Sequence, residues 1–527
     1  MTSSILKSPD DNVSVGGQWD TSKEDGHQRE GQTQVLVQKF DFKSMLALAF
    51  CVLGTWSTFA QDLASGLTSG GPVSILWGLA LVTICNICVG LSLGELVSSM
   101  PTAMGQAYWV YRLTPSRAGR FMSYVCACIN VFGWLALTAS QIAFMTEFIL
   151  GIKVMFDSNW AGADQGWTRF LVYLGVTFLF TSFNAVACRR DKILPWFNDF
   201  VSINFVGLFF VISIACLISV GVRHNHSFQP ASFVFGTWLN GTGWGNGVAW
   251  FTGLVQAAYG LTAFDSVIHM VEELPNPRRN APKAIVLSIS CGALTGFLFM
   301  VVCLFCIQDL NDVLNSDLPF MVLLQQTIGL GGGAALLVLF IFNGLGQGIS
   351  IFTTASRLTW AFARDEGYPY SNYFQQINLI WKAPTRAIWL QGVIIGLIGV
   401  LYLCSNTALT AILSVSTIAL TISYALPIVS LLMLGRKNLP PTQFALGKFG
   451  GVINWVSIIY CAITTVFFLF PSGPDPAPSD MNFAIVVLGI VLVFAVIFWF
   501  GKGRKSYLKG EEALARLAYI EQVEMAH

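Results

Sequence analysis

The chain has 527 residues, a net charge of +1, and 54% hydrophobic against only 11% charged residues. Soluble domains carry about 25% charged residues, so a single soluble globule is excluded. The near-zero net charge gives no footing for nucleic acid.

The first 42 residues read as a polar, disordered cytosolic tail (1–42), with Asp10, Asp11, Gly16, Gly17, Ser22 and Gly31. It is too hydrophilic to be a cleavable signal. Lys7, Lys23 and Lys39 are candidate modification sites on it, or the tail is inert. Twelve apolar stretches follow, at about 44–68, 73–98, 120–150, 168–188, 199–222, 247–270, 284–307, 333–360, 386–404, 408–434, 452–470 and 482–501. A bilayer core takes about 20 residues per helical span. Of 29 Lys and Arg, 26 fall in both tails, in the even-numbered gaps or at the adjoining helix ends; only Lys153, Arg169 and Arg223 do not. Basic residues in short loops stay cytoplasmic, so both termini are placed in the cytosol. The chain is expected to be an all-α membrane protein with twelve transmembrane helices. The last residues, 502–527, form a cytosolic C-tail in which Glu511 to Leu517 has the pattern of a short amphipathic helix.

Two spans carry polar or glycine-rich interruptions. In span one, Gly54-Thr55-Trp56-Ser57-Thr58 precedes Gln61 and Asp62. In span six, Tyr259-Gly260-Leu261-Thr262-Ala263 precedes Phe264 and Asp265. Irregular backbone at membrane depth persists only where it is buried in protein or lines a cavity. Interrupted spans in corresponding positions of two halves point to a midplane binding site. The plainer reading is close helix packing through small residues.

Ionisable groups inside spans default to functional hypotheses. Here they are Asp62, Glu95, Glu147, Asp265, His269 and Arg357. Asp265, His269 and Glu273 share one helical stripe. Glu272 and Glu273 are expected to meet Arg278, Arg279 and Lys283, as an inner gate, a proton path or a fixed helix-end network. Glu95 is a candidate partner for Arg112 or Arg117, and Glu147 reads as solvated near an outer helix end. Trp56, Tyr259 and Phe264 lie at the breaks, with Trp134 a further candidate; such rings can hold a quaternary ammonium by cation–π attraction or act as gates. Ser350, Thr353 and Thr354 offer hydroxyl ligands for sodium as a second coupling option. Cys85-x-x-Cys88 and Cys303-x-x-Cys306 have metal-like spacing but lie in apolar helices without a second pair, so packing is the expected role and no metal or cofactor is assigned. Asn225 and Asn240 head glycosylation sequons in the gap placed outside.

Four stretches carry a resemblance. They are Gly70-Gly71-Pro72; Glu95 to Trp109, similar to an E-x-x-S-x-x-P-T-x-G-G-Q-Y-x-W loop; Ala263 to Pro277 continuing to Ala284; and Ser356 to Asp365 with Pro369 following. On these the chain resembles fungal permeases of the amino acid–polyamine–organocation superfamily, in the branch with choline and GABA permeases. The match runs from about residue 43 to 505. It implies a LeuT-like fold: two inverted five-helix repeats (43–222 and 245–434) plus two accessory helices (452–501). It also implies alternating access, a midplane site at the two breaks, and proton coupling.

The chain departs from the pattern at Met104 and Ala107, and Trp56 fills a break that amino-acid carriers keep as Gly-Ser-Gly. The departure at Trp56 favours a substrate without an α-carboxylate, such as choline, over GABA or an amino acid. Expected site residues are Gly54, Thr55, Trp56, Ser57, Thr58, Tyr259, Gly260, Thr262 and Phe264 for substrate, and Asp265, His269, Glu273, Glu95 and Arg357 for gating or protons. Expected partners are the small substrate, protons and membrane lipid, with the plasma membrane favoured over the vacuolar one. The alternatives are a GABA or amino-acid permease, or a transporter-like nutrient sensor; no enzyme active site is visible.

Overall fold

In the computed structural model, residues 39–509 are described except 115–117, 164, 191, 224, 379–380, 382, 405 and 479–480, with backbone alone at 406–410 and 413. The amphipathic run expected at Glu511 to Leu517 and the tail before Lys39 lie outside the described residues. The chain is helical almost throughout. Span one is three pieces, α1 (Phe42–Leu53), α2 (Thr55–Gln61) and α3 (Leu63–Thr68). Asp41 caps α1: its carboxylate accepts from the Ser44 N–H at 2.8 Å, and the Ser44 hydroxyl accepts from the Asp41 N–H at 3.0 Å.

After α4 (Gly71–Ser99) come α5 (Gln106–Leu113), α6 (Gly119–Phe156), α7 (Gly166–Ala187), α8 (Ile193–Val222) and the short α9 (Ala231–Gly236). Span six is α10 (Asn246–Gly260) and α11 (Ser266–His269). Next are α12 (Pro277–Cys306), α13 (Leu310–Leu314), α14 (Pro319–Ile328) and α15 (Leu330–Arg364). The remainder is α16 (Ser371–Phe374), α17 (Thr385–Gly399), α18 (Leu401–Cys404), α19 (Asn406–Leu434), α20 (Gly450–Phe467) and α21 (Ala484–Phe498). Two-residue strands β1 (Ser69–Gly70) and β2 (Leu239–Asn240) pair antiparallel, Ser69 against Asn240, and staple the loops at one end.

Among the described residues, eleven helical stretches are long and apolar enough to cross a membrane, one fewer than the twelve expected. The difference lies in span six. Its helix α10 has 15 residues, about 22 Å at 1.5 Å per residue, short of the ~30 Å hydrocarbon core. The break read from the sequence is therefore what removes it from the tally.

The core sits between helices rather than in a layer. Helix α4 packs along α12, and α6 along α15 and α19, with α1 and α2 lying against α12. Glycine permits that approach: a Cβ at Gly292 or Gly296 of α12 would press on Thr55. The outward faces of α8 and α21 are apolar and exposed, as expected for surfaces that meet lipid.

The first break has a simple cause. Gly54 adopts φ +52° and both ends α1 and starts α2. An L-residue in that region costs about 1–2 kcal/mol, and a Cβ there would collide with the Gln347 amide. Gly54→Ala is expected to lower the melting temperature. Thermal unfolding of purified protein checks this; a wild-type melt would show that the kink is dispensable.

Candidate substrate cavity and gates

A concavity opens at the β1/β2 end, between α3, α6, α10, α19 and the loop after α20. It has a volume of about 690 Å³. Asp62 comes to it because the chain bends between α2 and α3, where Asp62 has φ −107° and ψ 29°. Ser140, Phe144 and Glu147 reach it from one face of α6, and Tyr259 from the last turn of α10. Tyr259 forms the floor. Its hydroxyl bonds Ser140 Oγ at 2.8 Å, and its ring lies 6.1 Å from that of Phe144. Glu147 near the mouth is balanced rather than simply solvated: Arg169 Nε is 3.6 Å away, and the Tyr402 hydroxyl donates to it at 3.4 Å. Asp62 has no side-chain hydrogen bond or ion pair among the described residues.

Below the floor lies a small void of about 10 Å³ between the two breaks, lined by Leu53, Thr58, Gln141, Tyr259, Thr262 and Gln347. That is room for at most one water, so side chains fill the space between the breaks. Thr58 Oγ1 donates to the Leu53 carbonyl at 3.2 Å and accepts from Gln347 Nε2 at 3.3 Å. Gln61 donates to Ser57 Oγ at 3.2 Å. Gly260 lets α10 close on span one, since a Cβ there would strike Phe59. Trp56 is elsewhere. It is fully buried in an aromatic cluster with Phe205, Phe209, Phe299 and Phe340, and lines neither the cavity nor the void. Thr55 faces α12. The structure thus gathers Thr58, Tyr259 and Thr262 and sets Thr55 and Trp56 apart.

The second break is held by Asp265. Ala263 sits at φ +67°, and its N–H donates to the Tyr424 hydroxyl oxygen at 3.1 Å. Tyr424 in turn donates to Asp265 Oδ1 at 2.7 Å and packs on Phe264, ring centroids 4.9 Å apart. Asp265 Oδ2 accepts from Gln106 Nε2 at 2.8 Å and Trp134 Nε1 at 3.3 Å, and contacts His269 Nε2 at 3.0 Å. Gln106 is the glutamine of the Glu95–Trp109 loop quoted above, though the pattern gave it no role, and Tyr424 carried no sequence signal, because tyrosines are ordinary in such helices.

The end away from the strands is closed by ion pairs, though not those expected from the sequence. Glu273 meets Arg357 at 2.9 Å, both 1% exposed, and Glu272 is gripped by two nitrogens of Arg364 at 2.7 and 2.8 Å. Arg278, Arg279 and Lys283 are not those partners. The chain reverses at Pro275 and Asn276, with Asn276 at φ +47°, and α12 carries that basic cluster away while α15 approaches. The continuous Asp265–His269–Glu273 stripe is likewise interrupted, because α11 gives way to a 3-10 turn over Val271–Glu273. Glu95 pairs with Arg436 at 2.8 Å and accepts from the Leu446 N–H, rather than meeting Arg112; Arg117 lies outside the described residues.

Ser350 donates to Asn198 and Thr353 to Asn184, so these hydroxyls tie α15 to α8 and α7. All twelve cysteines are unpaired, and among the described residues no group of three or more His, Cys, Asp or Glu could hold a metal. Asn225 and Asn240 are exposed in the loops at the strand-bearing end, where the Asn240 amide donates to the Trp244 carbonyl at 2.7 Å.

A family model described as amino acid permease matches residues 40–493. The choline transporter of Saccharomyces cerevisiae is 32% identical over 484 residues, covering 91% of this chain and 84% of that one. The GABA-specific permease of the same yeast is 26% identical over 504 residues, covering 94% and 86%. Amino-acid permease 2 of Neurospora crassa is 26% identical over 482 residues, covering 90% and 87%. These relatives are transporters and permeases rather than enzymes. With that match and its many apolar helices, the chain is an integral membrane protein and belongs to the amino acid permease family.

Proposed function

We propose that the protein imports a small organic cation, a choline-like quaternary ammonium first, by proton-coupled alternating access across the plasma membrane. In this reading both termini are cytosolic. The interrupted segment 246–269 is the twelfth crossing, and the two five-helix halves are inverted repeats followed by two accessory helices.

The observation that carries the substrate class is Asp62, a half-buried carboxylate without a protein partner among the described residues, on the wall of a 690 Å³ cavity floored by Tyr259 beside Phe144. When ionised, an unpaired carboxylate in a partly dry cavity attracts a monocation, and aromatic faces hold an onium group by cation–π attraction. A cavity closed towards Arg357 and Glu273 and open at the strand-bearing end corresponds to the outward-facing state. Parting of the Tyr259–Ser140 bond then admits substrate to the breaks, where backbone groups and Thr58, Thr262 and Phe264 are the contacts.

Kinship with a choline transporter supports this choice of substrate. One observation favours a second reading: Arg169 also lines the cavity, so a zwitterion such as GABA meets a cationic as well as an anionic group.

The test is uptake of labelled choline, with GABA and amino acids in parallel, in yeast lacking its own choline and GABA permeases. Asp62→Asn is expected to raise the choline KM about tenfold or more, the equivalent of ~1.4 kcal/mol, with the GABA signal unchanged. An unchanged choline KM removes Asp62 from cation recognition. Uptake of GABA alone by the wild type replaces the first reading with the second.

A further inference from the structure

His269 and Asp265 are buried to 1% and 0% exposure at the closed end of the second break. Around the imidazole, Nδ1 lies 2.8 Å from the Ala103 carbonyl oxygen, an atom that only accepts, and Nε2 lies 3.0 Å from Asp265 Oδ2. A neutral imidazole carries one N–H, and an ionised carboxylate carries none. With the hydrogen on Nε2, the Nδ1 lone pair faces the carbonyl oxygen. With the hydrogen on Nδ1, the Nε2 lone pair faces a carboxylate oxygen. Each arrangement sets two lone pairs against each other at hydrogen-bond distance. Both contacts become attractive only when the pair holds one proton more.

Where that proton sits follows from the other partners of Asp265. Gln106 and Trp134 donate to Oδ2 and Tyr424 to Oδ1. A hydrogen on Oδ2 would add a fourth donor where the Gln106 and Trp134 N–H groups already point, whereas one on Nε2 fits the acceptor facing it, which places both hydrogens on the imidazole. The Gln106 amide is oriented by Asn130, whose Nδ2 donates to Gln106 Oε1 at 3.2 Å. The same Nδ2 stands 3.4 Å from His269 Nε2, a contact that is a hydrogen bond only with that nitrogen unprotonated, while the 3.0 Å contact with the Asp265 carboxylate is the closer one.

The charged groups nearby are otherwise occupied. Glu273 and Glu272, one turn on, are bound to Arg357 and Arg364 of α15. Arg278 opens α12. From α1, α5 and α6, Lys43, Arg112 and Arg120 make no ion pair with Asp265 or His269. Tyr424 of α19 is the titratable residue bonded directly to the pair.

We propose that the Asp265–His269 pair stores one exchangeable proton while this end is closed, as an imidazolium–carboxylate, and that this is the proton moved with substrate. The claim rests on the import reading above. The bond made on loading is His269 N–H, with the proton taken from water on the open side. It is broken on the other side when α11 separates from the segment 103–106. That separation is the natural opening motion, because Gly105 (φ +46°) lets the segment press on Ile268 and the Ala103 carbonyl supplies the second imidazole contact.

Two measurements test it. The first is the ¹⁵N spectrum of histidine-labelled protein in neutral buffer, with the His269 signals assigned by their loss in His269→Gln. An imidazolium, both nitrogens protonated, is expected; a neutral imidazole of either tautomer overturns the proposal without touching the import reading. The second uses proteoliposomes with an entrapped pH dye. Wild type is expected to acidify the lumen on addition of choline. His269→Gln is expected to keep choline counterflow while losing both the acidification and the pH dependence of uptake. Counterflow with an unchanged proton-to-choline ratio in His269→Gln overturns the coupling role. Absence of choline uptake by the wild type overturns the import reading instead, leaving the spectrum to decide the proton.

Discussion

Glu273→Gln is expected to shift the protein toward the state in which the Arg357 end is open. Arg357 and Glu273 are each 1% exposed and 2.9 Å apart. Removing one partner of such a pair typically costs about 3–5 kcal/mol, because the other charge stays buried and uncompensated. A transporter has a cheaper escape than unfolding: opening this end to water rehydrates the guanidinium. At ~1.4 kcal/mol per factor of ten, the closed state would lose two to three decades of population.

Cys188 reports the change. Its thiol is buried and accepts from Arg357 Nη2 at 3.6 Å, so a hydrophilic maleimide should label it much faster in the variant than in wild type. The swap Glu273→Arg with Arg357→Glu is expected to restore protection. Replacing both by apolar residues of similar volume, Glu273→Leu with Arg357→Met, is expected to hold the end shut, since buried pairs are often no more stable than their apolar isosteres. Equal labelling of wild type and Glu273→Gln would show that this pair is not the lock.

The pattern of legibility follows from which signals are local. Hydropathy depends on segment composition, so ten of the twelve expected spans map onto helical stretches long and apolar enough to cross a membrane, a further one onto the kinked Phe42–Gln61, and the last onto the interrupted α10–α11. Gly54 and the Gly260–Ala263 run showed both interruptions because unusual backbone leaves a compositional trace. Partner choice leaves none. Glu272 and Glu273 lie five to eleven residues from the basic cluster Arg278, Arg279 and Lys283, yet they bind arginines more than eighty positions away. The turn at Pro275 and Asn276 decides that, and nothing in the carboxylates announces it. Asn130 and Tyr424 became visible only around Asp265, and Gln106, legible as part of the Glu95–Trp109 loop, gained its role only there. Trp56 is the instructive case: its position beside the break was legible, and the direction of its ring was not.

Trp56→Ala is accordingly expected to act on folding before it acts on recognition. The indole is fully buried, with ring centroids 4.9 Å from Phe205 and from Phe299 and 6.0 Å from Phe340. Truncating a buried Trp to Ala costs about 3–5 kcal/mol, a large share of the 5–15 kcal/mol that a typical domain possesses. The expected result is a sharp fall in folded protein and in melting temperature, with the choline KM of the surviving fraction unchanged.

Trp56→Phe should behave differently. The indole Nε1 is buried with no hydrogen-bond partner among the described residues, and an unsatisfied buried donor costs about 1–3 kcal/mol. A phenyl ring forfeits some contact area but removes that donor, so near-neutral stability is expected. Melting curves and choline kinetics on the two variants separate the roles. A stable Trp56→Ala with a raised choline KM would mean that α2 rotates during the cycle and presents the indole to the onium group. An unstable Trp56→Ala beside a near-normal Trp56→Phe would make the cluster a packing element that braces the kinked first span against α8, α12 and α15.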